Sequence, residues 1–325
     1  MSKRLRSKKT IHRRNVNALI FIDANQYLEL YRITKGKKLL EALNEQQDYI
    51  FLTKQICDEV QRNKLQVAAE FFTRQFEEIR VRTFEMPDPL LDVSTEAAKN
   101  LVDKLKSINE GVKAVNKDLP KAAIQVLCRI SQSEDEVSKG LSTIFSRAVL
   151  HEPEELERAR QRKELGNPPG KKAGPLGDQL NWEQLLSHCK NATTLWIVTK
   201  DSDYCTRHCA EMFLNPMLYQ DIAHATSRNE PAVFCFDSVA DALRHFVSTT
   251  GVKAERLPTA KESKEIKEEI ASLPPIDFLS TTMNDAANAV IQSAYAQQRQ
   301  NAARIAAAAQ DSINRWLDEV KVELK

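Results

Sequence analysis

The stretch Ala18-Leu19-Ile20-Phe21-Ile22-Asp23-Ala24-Asn25 is an apolar run that stops abruptly at an acid and an amide. Such a run reads as a short buried strand, and the end of a strand is where an open α/β sheet keeps its chemistry. An unpaired Asp is costly to bury, so Asp23 needs a cation, a donor or water at that spot. The run Leu195-Trp196-Ile197-Val198-Thr199-Lys200-Asp201-Ser202-Asp203 repeats the pattern far along the chain. Two strands that deliver carboxylates to one sheet edge point to a divalent-metal site.

Working outward, helices are expected over 26–32, 37–44 and 54–62, the last with Thr53 as N-cap, and a second strand over Tyr49 to Thr53. From there to about Leu165 the pattern is helical almost throughout, with Leu101, Leu105 and Ile108 on one face and a break expected at Pro120. Four of the eight glycines then fall between Gly166 and Gly177. Gly166-Asn167-Pro168-Pro169-Gly170-Lys171-Lys172 is a shaped loop, not a helix. It leads into a helix opening at Asp178. The strand ending at Asp201 follows, then a helix, a strand over Ala232 to Phe236, and a helix capped by Asp237-Ser238 and running to Phe246. Residues 251–275 read as a linker or an exposed helix, and Met283 to Leu324 as an Ala-rich amphipathic helix suited to docking on a body or partner.

This alternation predicts an α/β fold: an α/β/α sandwich with a mainly parallel central sheet, a large helical insertion and a C-terminal helical extension. The expected limits are a basic flexible arm over 1–15, the sheet domain over 16–247 with its insertion at about 75–165, a linker over 248–275 and a helical segment over 276–325. No apolar run approaches the roughly 20 residues of a membrane span, and residues 1–14 lack the apolar core of a secretory signal. A cytoplasmic protein without membrane attachment is expected. The six scattered cysteines read as free thiols; a zinc site from His188, Cys189, Cys205, His208 and Cys209 is the weaker reading, because the spacing fits no common finger. Net charge is +2, yet residues 1–14 carry seven Lys and Arg, Arg13 and Arg14 among them, and no acid. A basic arm on an acidic body suits electrostatic tethering to nucleic acid, or serves merely as a solvated tail.

Four acids fall at element ends or first turns: Asp23, Glu59, Asp178 and Asp201. Hard divalent cations take oxygen ligands, so three or four carboxylates form a suitable cage. Each acid has a plainer reading: Asp23 and Asp178 as helix caps, Glu59 on a solvated helix face, Asp201 and Asp203 sharing a turn. Four at successive strand ends and helix starts are harder to assign to independent caps. Lys171 and Lys172, on a Gly/Pro frame leading to Asp178, suit contact with phosphates.

Ile22-Asp23-Ala24-Asn25 before a helix, Glu59 within Ile56-Cys57-Asp58-Glu59-Val60, Asp178 opening a helix, and Thr199-Lys200-Asp201-Ser202-Asp203-Tyr204 together resemble the signature of PIN-domain ribonucleases. The Gly/Pro loop, Trp182-Glu183 and the closing strand Phe234-Cys235-Phe236-Asp237-Ser238 also resemble PIN-like domains of uncharacterised bacterial proteins. The resemblance implies a Mg²⁺- or Mn²⁺-dependent nuclease site. Asp23, Glu59, Asp178 and Asp201 would be its metal-binding acids, Asn25 and Thr199 would support them by hydrogen bonds, and Asp203 would be an auxiliary acid. Two features depart from the family pattern: Glu59 and Asp178 stand 119 positions apart, and Ala24 replaces the usual Thr or Ser.

The reading that follows is an endonuclease acting on RNA more than DNA, with phosphate affinity from the arm and the Lys171-Lys172 loop. A second copy of the chain or a protein partner would dock through the C-terminal helix. The alternatives are a catalytically idle PIN-like scaffold and a phosphatase or nucleotide hydrolase using the same acids.

Overall fold

The computed structural model describes residues 17–79, 96–170, 174–209 and 211–274, with scattered positions from 276 to 307. Arg13, Arg14, Lys171, Lys172, the 1–15 arm and most of the 276–325 segment lie outside these residues.

Four strands form one parallel sheet in the order β2-β1-β3-β6: β1 (Ala18–Ile22), β2 (Ile50–Phe51), β3 (Thr194–Val198) and β6 (Ala232–Phe236). Ile20, Phe21, Ile22, Trp196, Ile197 and Val198 are all buried, as expected for strands covered on both faces. The register puts Ile22 opposite Val198 and Val198 opposite Phe236. The ladder continues one residue further: Asp23 N donates to Val198 O (3.0 Å) and Thr199 N to Phe236 O (3.0 Å). Asp23, Thr199 and Asp237 therefore form a row along the carboxyl edge. The chain leaves β1 toward β2 and leaves β3 toward β6, so the strand order reverses between β1 and β3. That reversal opens the crevice in which α/β sheets place ligands.

Ten helices pack with the strands or extend from them among the described residues. Helix α1 (Ala24–Leu28) is capped by Asp23, and α2 (Gly36–Glu45) returns the chain to β2. Thr53 Oγ accepts from Ile56 N (3.1 Å) and so caps α3 (Lys54–Ile79), as its sequence position predicts. Next come α4 (Glu96–Ser131), α5 (Glu136–Phe145), α6 (Pro153–Leu165) and α7 (Gly177–His188). Then come α8 (Pro216–Thr226), α9 (Val239–Thr250), capped by Ser238, and α10 (Ala260–Ser272).

Two local expectations change. The break expected at Pro120 does not occur; α4 runs through it for 36 residues. A proline removes one helix hydrogen bond, and the many remaining turns carry the helix past it. The helix expected directly after Asp201 is instead an antiparallel hairpin of β4 (Cys205–His208) and β5 (Glu211–Leu214), and helix begins only at Pro216. Cys209 reverses the chain with a left-handed φ of 54°. Across the hairpin, Cys205 opposes Leu214 and Arg207 opposes Met212, the cross-strand pairing of a half-buried ribbon.

The chain divides into two compact units. Residues 1–60 and 140–274 make the first, which holds the sheet. Its segment 251–274, read from sequence as linker or exposed helix, contains α10 with Ile266 and Ser263 buried. Residues 61–139 and 275–325 make the second. In it, Lys64 is buried and donates to Ser133 Oγ (2.7 Å) and Ser138 Oγ (2.9 Å), while Leu101, Ile108 and Val115 of α4 are exposed. No described helix is long and apolar enough to cross a membrane.

Candidate metal centre

Asp23 is 6 % exposed and belongs to two structures at once. Its Oδ1 accepts from Ala24 N (2.7 Å), which starts α1, and its Oδ2 accepts from Thr199 Oγ (3.1 Å) across the β1–β3 crevice. The cap and the edge acid are the same carboxylate. Thr199 Oγ in turn accepts from Asp201 N (3.0 Å), so one buried hydroxyl ties together the ends of both central strands. Asp201 Oδ1 then accepts from Asp203 N (2.9 Å), and Asp201 O from Tyr204 N (3.2 Å).

Burial pushes the Asp23 carboxyl up to about 7, and the nearby charges of Glu59 and Asp201 push the same way; the bonds from Thr199 and Ala24 only partly oppose this. The two charges that act most strongly on Asp23, Glu59 and Asp201, are both acids. A carboxylate so placed holds a proton near neutrality unless a cation joins it. Glu59 is delivered by the second turn of α3 and is half-buried.

Asp178 stands in the first turn of α7, one residue inside a helix whose N-cap is Leu176, so it is not the cap. The start of α7 is held by close packing. A Cβ on Gly170, whose φ is +89°, would lie 2.5 Å from Gln179 Nε2, and one on Gly177 would lie 2.7 Å from Gln55 Nε2. Both atoms are tips of flexible glutamine side chains, so it is the left-handed φ of Gly170 that favours glycine there.

Tyr204 joins the four acids, and the sequence motif showed only its position, not this role. Its ring is fully buried against Phe21 and Trp182, with centroids 6.0 Å away in each case. Its hydroxyl donates to Asp178 O (3.4 Å). Burial raises the phenol well above its ordinary value, and Asp178, Asp23, Asp201 and Glu59 all add to the rise. Tyr204 therefore stays a neutral donor within electrostatic reach of all four acids.

Two further arrangements lay beyond sequence reading because their partners are distant. Glu29 is buried, held by Arg32 Nε (2.6 Å) and Nη2 (2.9 Å) and by Lys200 Nζ (2.7 Å). Arg162 of α6 donates to Glu183 (2.7 Å) and to Pro168 O (2.7 Å) and pairs with Asp221 (2.8 Å), fixing the Gly/Pro loop, α7 and α8 together. Arg162→Ala should cost about 2–3 kcal/mol of stability, because Glu183 is left buried with only Arg158 beside it (2.9 Å). Chemical denaturation measures the loss; a change below about 0.5 kcal/mol would mean the ion pairs carry no net stability.

The candidate donors are all oxygens, the kind a hard cation takes. Each Asp23 oxygen accepts one protein hydrogen bond and keeps a further lone pair. Asn25 Oδ1, two residues on, is buried and accepts no hydrogen bond among the described residues. Thr199 bonds to Asp23, and Asn25 Oδ1 keeps its acceptor capacity. Among the described residues, no three or more His, Cys, Asp or Glu side chains already form a group able to hold a metal ion. Thr199→Val should raise the Asp23 carboxyl further and destabilise the fold by about 1–3 kcal/mol, since Asp201 N also loses its acceptor. An unchanged pH dependence in that variant would remove Thr199 from the site.

Neither a curated protein nor a solved structure matches the chain. A family model described as PIN domain matches residues 20–204, from β1 through the buried Tyr204. That span takes in all four acids and covers more than half of the chain, which therefore belongs to the PIN domain family.

Proposed function

We propose that the protein is a metal-dependent endonuclease that hydrolyses phosphodiester bonds, in RNA more than DNA. A nuclease-type fold is the common property of its family, and one observation supports the finer reading. At the β1–β3 crevice, a buried Asp23 raised to about 7 has the acids Glu59 and Asp201 as the charges acting most strongly on it and shares a threonine with Asp201. That is costly for an empty protein and suited to a bound cation.

In this reading Asp23, Glu59, Asp178 and Asp201 hold Mg²⁺ or Mn²⁺, with Asn25 Oδ1 as a further oxygen. Such a cation supplies Lewis acidity toward a phosphodiester and its attacking water. The chain's own part is to hold and orient. Thr199 keeps Asp23 Oδ2 in place, Asp203 N fixes the Asp201 carboxylate, and the Tyr204 hydroxyl stays protonated and anchors Asp178 O. Asp23 must release its proton before it ligates, so cation affinity falls as the pH drops below about 7. Lys171, Lys172, Arg13 and Arg14 are proposed phosphate contacts, whose share of the affinity weakens as salt rises. The helix expected over Met283 to Leu324 is a proposed surface for a second copy or a protein partner.

The test is cleavage of end-labelled single-stranded RNA and DNA by the purified chain with Mn²⁺, Mg²⁺ or EDTA. RNA should be cut internally with either metal and remain intact in EDTA. Intact RNA and DNA under all three conditions would leave the PIN-like scaffold reading in its place.

A further inference from the structure

Beside the acids lies a pocket of about 440 Å³ that the proposed chemistry does not use. Its lining comes from the β3–β4 connection (Lys200, Ser202), the β4–β5 hairpin (Thr206, Arg207, Met212), the β6–α9 junction (Asp237, Ser238) and α10 (Lys267, Ile270, Ala271). All of these residues belong to the unit that holds the sheet. Apart from Lys200 and Ser202, they fall outside the span matched by the PIN domain model. Lys200 and Ser202 flank Asp201 in sequence, which sets the pocket next to the acidic edge.

The lining carries three cations and one carboxylate. Asp237 is shared: Arg207 pairs with it, and Lys267 Nζ lies 3.3 Å from it and 3.0 Å from Asp241. Arg207 commits Nε to Cys209 O (3.2 Å) and one terminal nitrogen to Asp237, and its other terminal nitrogen has no protein partner among the described residues. Lys200 is paired with Glu29, whereas Arg207 and Lys267 are half-exposed and share Asp237. The open Arg207 nitrogen and Lys267 therefore suit an incoming anion, and Ser202, Thr206 and Ser238 add hydroxyls of the kind that bind phosphate and sugar oxygens. The opposite character comes from Met212, Ile270 and Ala271, an aliphatic wall without charge. The volume is far more than a bare phosphate fills and sits at the lower end of the roughly 300–1,000 Å³ typical of small-molecule sites.

We propose that this pocket binds one nucleoside monophosphate unit, with its phosphate on Arg207 and Lys267 and its base against Met212, Ile270 and Ala271. The unit belongs to the strand whose neighbouring phosphodiester lies at Asp23 and Asp201. The strand assignment rests on the nuclease reading; occupation by a nucleotide does not.

The experiment is calorimetric titration of the full chain in EDTA, which keeps metal chemistry out of the measurement. The probes are a nucleoside 5′-monophosphate, a short single-stranded RNA and inorganic phosphate, each against the parent, Arg207→Gln and Ala271→Trp. Arg207→Gln should weaken nucleotide binding about tenfold through loss of a charge-assisted contact. Ala271→Trp, at an exposed position on the rim, should abolish it by filling the space. Inorganic phosphate should bind at least about tenfold more weakly than the mononucleotide, since it gains nothing from the apolar wall. RNA tighter than the mononucleotide supports the strand assignment; equal affinity makes this a site for free mononucleotides and overturns that assignment. Nucleotide binding unmoved by both variants, no nucleotide binding at all, or phosphate binding as tightly as nucleotide overturns the pocket itself. Should Arg207→Gln fail to fold by circular dichroism, Ala271→Trp decides the matter. Binding in EDTA by a chain that never cleaves would sink the nuclease reading and leave the pocket standing.

Discussion

Asp23→Asn should lower metal-dependent cleavage by at least about a hundredfold, a loss of about 2.7 kcal/mol in transition-state stabilisation. The substitution is nearly isosteric. The amide oxygen can still accept from Ala24 N, so the cap of α1 survives, and the amide nitrogen can donate to Thr199 Oγ where Asp23 now accepts. What disappears is a negative charge that the carboxyl edge of β1 places at the strand-order reversal. Because that charge is buried among other acids, its removal should also make the metal-free protein more stable at pH 8. The pairing of lost turnover with gained stability separates a ligand from a cap. A residue that only capped α1 would keep both turnover and stability, because the amide preserves the cap. The measurements are kcat/KM with Mn²⁺ on a labelled RNA and a thermal melt in EDTA; turnover within tenfold of the parent would reduce Asp23 to its capping role.

Much of this arrangement was legible because it is local. Uniform apolar runs ended by an acid mark β1 and β3, and Thr53 and Ser238 announce the helices they cap. Asp23 shows the limit of such reading. A capping residue and a strand-edge acid looked like rivals in sequence, whereas the register of β1 with β3 lets one carboxylate be both. The hairpin from Cys205 to Leu214 was misread because Cys, Thr, Arg and His give weak alternation, and its strand character depends on Cys205 and Leu214 meeting each other. Tyr204, Glu29 with Lys200, and Arg162 with Glu183 owe their roles to partners brought together only by the folded sheet and its helices. The sequence order of the four acids is readable in the same local way; how far their side chains close on a common point is a property of tertiary packing.

The metal-free protein should lose up to about 4 kcal/mol of stability through Asp23 as the pH rises from about 4 to about 7. The carboxyl moves from an ordinary 3.8 to about 7 on folding, and each unit corresponds to about 1.4 kcal/mol. Below pH 3.8 the group is protonated in both states and costs nothing. Between 3.8 and 7 the unfolded chain releases the proton while the folded chain retains it, so unfolding gains ground with every step in pH. Above about 7 both forms are ionised and the loss is complete. Carboxylates held ionised act with the opposite sign and at lower pH, as Lys38 and Thr259 hold Glu262 down near 2. The contribution of Asp23 is therefore read as the difference between parent and Asp23→Asn, measured by chemical denaturation in EDTA from pH 4 to 8. That difference should grow steadily up to about pH 7 and then level off. Saturating Mn²⁺ should cancel it at pH 8 and leave it nearly untouched at pH 5, where the proton occupies the position the cation needs. Parallel curves for the two proteins would mean that Asp23 is hydrated in solution, and with that the electrostatic case for a cation at the β1–β3 crevice would fall.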